Sequence, residues 1–127
     1  MKRVLFVGQE PDTVDFSDPA LPPGLDADKI RGGSAIAMQQ MSDRRWQADL
    51  CLVRPDESAG CALKRALNAA PYDCVVIGGG VRIPPKRLLL FESLVNSVHR
   101  VAPGAAIAFN TRPEDTAAAA ARWIDGT

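Results

Sequence analysis

The chain alternates between apolar runs and segments with helical spacing, and this alternation constrains the fold most strongly. The runs lie at residues 3–7, 48–53, 73–77 and 105–109, and helices are predicted over residues 28–46, 57–70, 86–102 and 111–126. Apolar residues stand at consecutive positions in the runs, which is typical of parallel strands covered by helices on both faces. Four strand–helix units therefore predict an α/β fold, a three-layer sandwich with right-handed crossovers.

Composition favours a single domain with no strong electrostatic preference. A length of 127 residues is enough for one domain, 1–127, with its own core. The 15 basic residues balance the 15 acidic residues, so the net charge gives no attraction to nucleic acid or to an anionic membrane. No apolar stretch is long enough to span a bilayer, and the first residues lack the pattern of a signal peptide. Three cysteines without C-x-x-C spacing favour a reducing compartment, and we expect a cytoplasmic location.

Residues 9–28 are predicted to form one long loop, because they are rich in Pro and Asp and show no sustained period. Connections of this length are usually functional or mobile. Asp28 is the predicted cap of the helix that follows. Gly32 and Gly33 indicate either a later helix start, which would expose amides to a phosphate, or close packing against another element. Close packing is the interpretation that we favour.

Two segments resemble the receiver domains of bacterial two-component signalling. They are YDCVVIGGGVRIPP at residues 72–85 and AAIAFNTRPEDTAAAAARW at residues 105–123. The first is similar to the receiver segment that carries the phosphoacceptor Asp, and the second to the fourth strand with its Ser/Thr switch. The resemblance covers about residues 48–122 and implies a flavodoxin-like or Rossmann-like sheet in the order 2-1-3-4.

The chain departs from receivers at the residues that carry their chemistry. The phosphoacceptor position falls on Gly78, and the paired acids that hold Mg²⁺ align with Gly8 and Gln9. A fifth strand with its Lys is also missing. The resemblance therefore implies the receiver fold without phosphotransfer, and we expect a non-enzymatic interaction or scaffold module with no cofactor, no metal and no catalytic residue.

Polar and glycine residues after the strands form a candidate ligand site, since the carboxyl ends of neighbouring strands meet at one edge of an open α/β sheet. The candidates are Glu10, Asp12, Asp56, Gly78, Gly79, Gly80, Arg82, Asn110 and Arg112. One interpretation is a pocket for a small anionic or phosphate-containing ligand, with Arg82 as a bidentate clamp. The other is that acidic and basic loops neutralise each other and hold the long loop across this face.

Other residues give little sign of catalysis. The glycine triplet is neither G-x-G-x-x-G nor a P-loop. His99, the only histidine, is predicted to be a solvated residue far from the strand ends, and Cys51 and Cys74 to be buried in strands. An enzyme is therefore less expected than a binding protein or an interaction module.

The missing fifth strand leaves the fourth strand at a sheet edge, and its residues 105–109 carry no charge. The last helix adds Trp123 as an aromatic anchor. We therefore predict a homo-oligomer, or a complex with a protein partner, formed through the fourth strand and the last helix. The alternative function is a small-molecule binder or small enzyme that uses the strand-end loops.

Overall fold

A computed structural model describes residues 1–125. The chain folds into a four-stranded parallel sheet with helices packed on it. The strands are β1 (Arg3–Gln9), β2 (Gln47–Val53), β3 (Cys74–Ile77) and β4 (Ala106–Phe109). They lie in the order β2-β1-β3-β4, and every neighbouring pair is parallel. The α/β class and the strand order predicted from the sequence are confirmed.

Within the described residues, five α-helices connect and follow the strands. They are α1 (Ala27–Asp43), α2 (Ser58–Ala69), α3 (Gly79–Arg82), α4 (Leu88–Val101) and α5 (Thr116–Ile124). The short helix α3 was not predicted, and it forms within the loop after β3. The predicted end of the last helix at Gly126 lies outside the described residues. Within residues 1–125, none of the helices is both long enough and apolar enough to cross a bilayer.

Helices cover both faces of the sheet and produce two hydrophobic cores. On one face α2 and α4 pack on alternate strand residues, and Leu63, Leu94 and Val98 are fully buried there. On the other face α1 and α5 bring Ala37, Met41 and three buried alanines of α5 against the sheet. All four residues of β3 have zero exposure because both of its faces are covered. This burial is the reason for its unbroken apolar run.

The first helix begins one residue after Asp26, so the prediction of Asp28 as its cap is wrong. The Oδ1 atom of Asp26 accepts a hydrogen bond from the Lys29 amide at 2.8 Å, and its backbone is extended, as an N-cap requires. Asp28 instead lies in the first turn, where its carboxylate is 3.6 Å from Arg31. Both aspartates are good caps by type, and only the course of the preceding loop decides between them.

Gly32 and Gly33 lie inside α1 and have opposite surroundings. A Cβ atom on Gly33 would be 3.1 Å from Cβ of Pro113 and would overlap the carboxylate of Glu114. The expected close packing is therefore confirmed for Gly33. A Cβ atom on Gly32 would have nothing within 4 Å. Gly32 therefore leaves open space beside the helix.

The two glycines predict opposite effects of the same substitution. Gly32→Leu should leave the free energy of unfolding unchanged or raise it by up to about 1 kcal/mol, because leucine has the higher helix propensity. Gly33→Leu should lower it by about 1–3 kcal/mol, because the added side chain forces α1 away from the turn before α5. Urea denaturation followed by circular dichroism measures both. Equal effects of the two substitutions would contradict this packing.

Candidate functional site

A cleft of about 840 Å³ lies at the carboxyl ends of the strands, on the side of the sheet that α1 covers. Its sides are the loop before α1, α1 itself and the exposed side chain of Leu52 at the end of β2. The glycines after β3 and residues 110–114 close the remaining sides. A volume of this size falls within the ordinary range of ligand pockets. Most of the lining is apolar side chain or glycine.

The structure brings some of the predicted site residues to this cleft and leaves others away from it. Gly78, Gly79, Gly80, Asn110 and Arg112 line it. The other four candidates are not among its lining residues; they are Glu10, Asp12, Asp56 and Arg82.

Asn110 is buried and connects the segment after β3 to the start of α5. Its Oδ1 atom accepts from the amide of Gly79 at 2.8 Å, and its Nδ2 atom donates to the hydroxyl of Thr116 at 2.9 Å. The Thr116 hydroxyl in turn donates to the carbonyl of Pro113 at 2.6 Å. A side chain that is 1 % exposed and bonded at both ends holds two loops in register. Asn110 therefore shapes the cleft rather than offering a free amide to it.

Arg82 braces the end of β4. Its Nη2 atom donates to the carbonyl of Asn110 at 2.8 Å, and its guanidinium carbon is 5.8 Å from the ring centroid of Phe109. Phe109 packs in turn against Phe91 at 5.5 Å. These contacts engage part of the guanidinium, whereas its buried Nε atom has no hydrogen-bond partner among the described residues. The proposed bidentate clamp on a ligand remains a prediction, and in this structure Arg82 does not line the cleft.

Arg31 and Lys86 hold the long loop before α1 through its acidic residues. Arg31 of α1 contacts Asp12 at 2.7 Å and Glu10 at 4.0 Å. Lys86 contacts Asp15 at 2.6 Å, and its hydrogen bond to that carboxylate keeps the pKa of Asp15 well below its usual range. These contacts match the interpretation in which opposite charges hold the long loop. The basic partners are Arg31 and Lys86 instead of Arg82.

Asp56 accepts hydrogen bonds at the start of α2. Its Oδ1 atom accepts from the amide of Ser58 at 2.8 Å, and the Ser58 hydroxyl also donates to it. These hydrogen bonds lower the pKa of Asp56. The structure therefore gives this carboxylate a local role at the loop–helix junction.

Gly78, which the resemblance aligns with the receiver phosphoacceptor, lies close to the backbone of β1. The amide of Gly78 donates to the carbonyl of Val7 at 2.8 Å, and a Cβ atom on Gly78 would be 3.2 Å from that oxygen. Gln9, at one of the positions of the metal-binding acids, donates through Nε2 to the carbonyl of Thr13 at 2.9 Å. Among the described residues, no group of three His, Cys, Asp or Glu side chains is placed to hold a metal ion.

Two cations line the cleft, and one of them, Lys29, was missed by the sequence analysis. Lys29 Nζ donates to the carbonyl of Gly24 at 2.6 Å at the edge of the loop, and Arg112 is exposed at the opposite side. None of the ion pairs in the described part of the chain includes Lys29 or Arg112. The sequence signal was weak, because a lysine in the first turn of a helix is usually solvated.

The cysteines and the histidine lie where the sequence predicted. Cys51 and Cys74 are buried in strands, Cys61 is exposed on α2, and His99 is exposed on α4. Burial raises the pKa of the Cys74 thiol to about 12. A thiol with so high a pKa stays protonated at neutral pH and is a poor nucleophile.

Substituting Asn110 tests its role in connecting the loops. Asn110→Ala should lower the free energy of unfolding by about 1–3 kcal/mol, because it leaves the Gly79 amide buried without an acceptor. Asn96→Ala is the matched control, because exposed Asn96 bonds only to the Glu92 carbonyl of its own helix, and it should have an effect within about 0.5 kcal/mol. Chemical denaturation measures both. An Asn110→Ala protein as stable as the control would contradict the assigned role.

Thiol accessibility gives a second test of the described burial. Native protein should release one equivalent of chromophore with Ellman's reagent at mildly alkaline pH, because only the exposed Cys61 thiol reacts quickly. Denatured protein should release three equivalents. Cys61→Ser should abolish the rapid native reaction, and a rapid reaction that persisted in this variant would contradict the burial of the other two thiols.

Known proteins do not supply a function for this chain. No family model matches the sequence, and no curated protein and no solved structure matches it. A function therefore has to be inferred from the geometry of the strand ends.

Proposed function

We propose that this chain is a receiver-like binding protein without phosphotransfer, and that its strand-end cleft holds a small, largely apolar ligand with one anionic group. The observation that carries the proposal is the cleft of about 840 Å³, lined by apolar side chains and glycines and flanked by two cations. A ligand in this position would occupy the place where open α/β sheets commonly bind small molecules.

Apolar side chains from three elements support an apolar ligand body. Leu21 and Leu25 extend from the loop, Ile36 from α1 and Leu52 from the end of β2. Ile36 and Leu52 are 48 % and 37 % exposed, so the protein leaves them in contact with water. Covering such surface contributes roughly 25 cal/mol per Å² to binding. The Gly32 face of α1 adds room for the ligand.

The charges of the lining support an anionic group on the ligand. Lys29 and Arg112 are the lining cations, and Glu114 is the only lining carboxylate among the described residues. The partly enclosed, apolar surroundings strengthen the attraction of a cation for an anion relative to bulk water. Arg112 has a guanidinium free of ion pairs within the described residues, so it can bind a carboxylate, sulfonate or phosphate through two hydrogen bonds.

The lining favours binding over catalysis. Among the described residues, the cleft lining includes no His, Cys or Asp, and none of the ion pairs joins its Glu114 to its Lys29. A Cβ atom on Gly78 would be 3.2 Å from the Val7 carbonyl oxygen, so a phosphoacceptor side chain there would require the backbone to shift. Both observations support a protein that holds its ligand unchanged.

An interaction module is the second candidate function, with a partner bound through β4 and α5. The observation that favours it is Trp123, which is 60 % exposed on α5. Large exposed aromatic side chains are common anchors of protein interfaces. One edge group of β4 is already occupied, since Arg122 Nη2 donates to the carbonyl of Phe109 at 3.0 Å. For either candidate function, we also propose a cytoplasmic location and descent from bacterial receivers.

Fluorescent naphthalene probes test the cleft. The anionic probe 1-anilinonaphthalene-8-sulfonate should bind the folded protein and gain fluorescence. Gly32→Leu should weaken this binding by about tenfold or more, because the leucine side chain fills the cleft without unfolding α1. Gly104→Leu is the matched control, since an added Cβ there also meets nothing within 4 Å and Gly104 does not line the cleft. Equal binding by wild type and Gly32→Leu would refute the site.

The neutral analogue N-phenyl-1-naphthylamine separates the two features of the ligand. Arg112→Ala should weaken binding of the sulfonate about tenfold and leave the neutral probe unaffected, because only the sulfonate needs a cation. Gly32→Leu should weaken both probes. Equal loss of both probes in Arg112→Ala would show that the arginine contributes packing, and the anionic part of the proposal would then fail.

A further inference from the structure

The outer edge of β2 presents backbone groups that no neighbouring strand uses. The amide of Gln47 donates to the carbonyl of Lys2 at 2.8 Å, so Gln47 faces β1. In a parallel ladder the hydrogen-bonding direction alternates along the strand. The N–H and C=O groups of Ala48, Leu50 and Leu52 therefore point away from the sheet. None of the backbone hydrogen bonds made by loops and turns in residues 1–125 ends on these groups.

Apolar side chains lie directly beside this edge. Leu50 is 40 % exposed and Leu52 is 37 % exposed, and both lie on the face of the sheet covered by α1. Exposed strand edges in soluble proteins usually carry charges, prolines or bulges that prevent pairing. The only charged side chain of β2, Asp49, points to the opposite face, where it pairs with Arg3 at 3.0 Å. The edge of β2 thus lacks the usual protection on its apolar side.

The edge of β4 is different. Since the Ala106 amide donates to the carbonyl of Asp73 in the β3 direction, Ile107 and Phe109 direct their backbone groups to the free side. Arg122 already donates to the Phe109 carbonyl, and a charged side chain across a strand edge opposes pairing. Strand β4 has four residues, whereas β2 has seven. Of the two edges, β2 is the longer and the less protected.

We propose that a second copy of this chain pairs antiparallel with β2, around a two-fold axis at Leu50, so that the two sheets become one. Leu50 is the middle of the strand, so this register pairs the full length of both copies. Leu50 then faces its own copy as a hydrogen-bonded pair, and Ala48 faces Leu52 of the second copy. A shift of the axis to Asp49 would place two carboxylates opposite each other, which destabilises a strand pair.

Charges at the two ends of β2 complement each other in this arrangement. Asp43, Arg44 and Arg45 precede the strand with a net charge of +1, whereas Arg54, Asp56 and Glu57 follow it with a net charge of −1. Arg44 also pairs with Asp125, and Asp56 with Arg54. Antiparallel pairing brings the amino end of one strand to the carboxyl end of the other, so basic residues of each copy lie near acidic residues of its partner. Complementary charges at both ends favour this orientation over a parallel one.

Substitutions at Leu50 test the proposal because this residue lies on the proposed two-fold axis and faces its own copy. Wild-type protein at micromolar concentration should have twice the chain mass of 13.6 kDa by size-exclusion chromatography with light scattering. Leu50→Lys and Leu50→Glu should each be monomeric, because each places two like charges opposite each other. An equimolar mixture of the two variants should recover the dimer mass, since lysine then faces glutamate.

Trp123→Lys is the matched control, because it places the same charge on an exposed apolar residue of α5, and it should remain dimeric. Circular dichroism confirms that each variant is folded. A monomeric wild type, a dimer that survives Leu50→Lys, or a mixture that stays monomeric would each overturn the proposal. Dissociation by Trp123→Lys alone would place the interface at β4 and α5 and would overturn it as well. Leu50 and Trp123 do not line the cleft, and chain mass is a separate readout from probe fluorescence, so the two proposals can fail separately.

Discussion

The close approach of backbones at the end of β3 determines what the rest of this face can be. A Cβ atom on Gly78 would be 3.2 Å from the Val7 carbonyl, and one on Gly79 would be 3.0 Å from the Thr111 carbonyl. The side chain of Asn110 accepts a hydrogen bond from the Gly79 amide and donates one to Thr116 at the start of α5. The ends of three strands are thereby held together without any reactive side chain between them.

The loop over this face is attached by interactions of a different strength. Its contacts with Arg31 and Lys86 are ion pairs between largely exposed side chains. Exposed ion pairs of this kind typically contribute about 0–1 kcal/mol each. The glycines after β3 and the residues after β4 are held instead by buried hydrogen bonds and close packing, whose disruption costs more free energy. The packed strand ends therefore form the more stable side of the cleft, and the loop before α1 forms the less strongly attached side.

The sequence predicted the sheet well because a strand that is buried on both faces, such as β3, has a continuous run of apolar residues. The sequence did not predict the role of a residue where that role depends on the path of the chain in three dimensions. Asp26 and Asp28 are equally good caps by residue type, and the loop geometry selects Asp26. Arg82 and Lys86 both belong to the basic loop after β3, but only Lys86 contacts the acidic loop, whereas Arg82 donates to the Asn110 carbonyl. The apolar lining of the cleft was not predicted, since Leu52 and Ile36 are distant in the sequence and line the same cleft only in the folded chain.

Amide NMR titration with 1-anilinonaphthalene-8-sulfonate tests the central claim most directly, because every described glycine amide reports its own surroundings. The account predicts concentration-dependent shifts at Gly32 and Gly80, which line the cleft, and unchanged resonances at Gly60 and Gly104, which do not. Shifts that were absent, or that were confined to residues of α5, would contradict a ligand site at the strand ends.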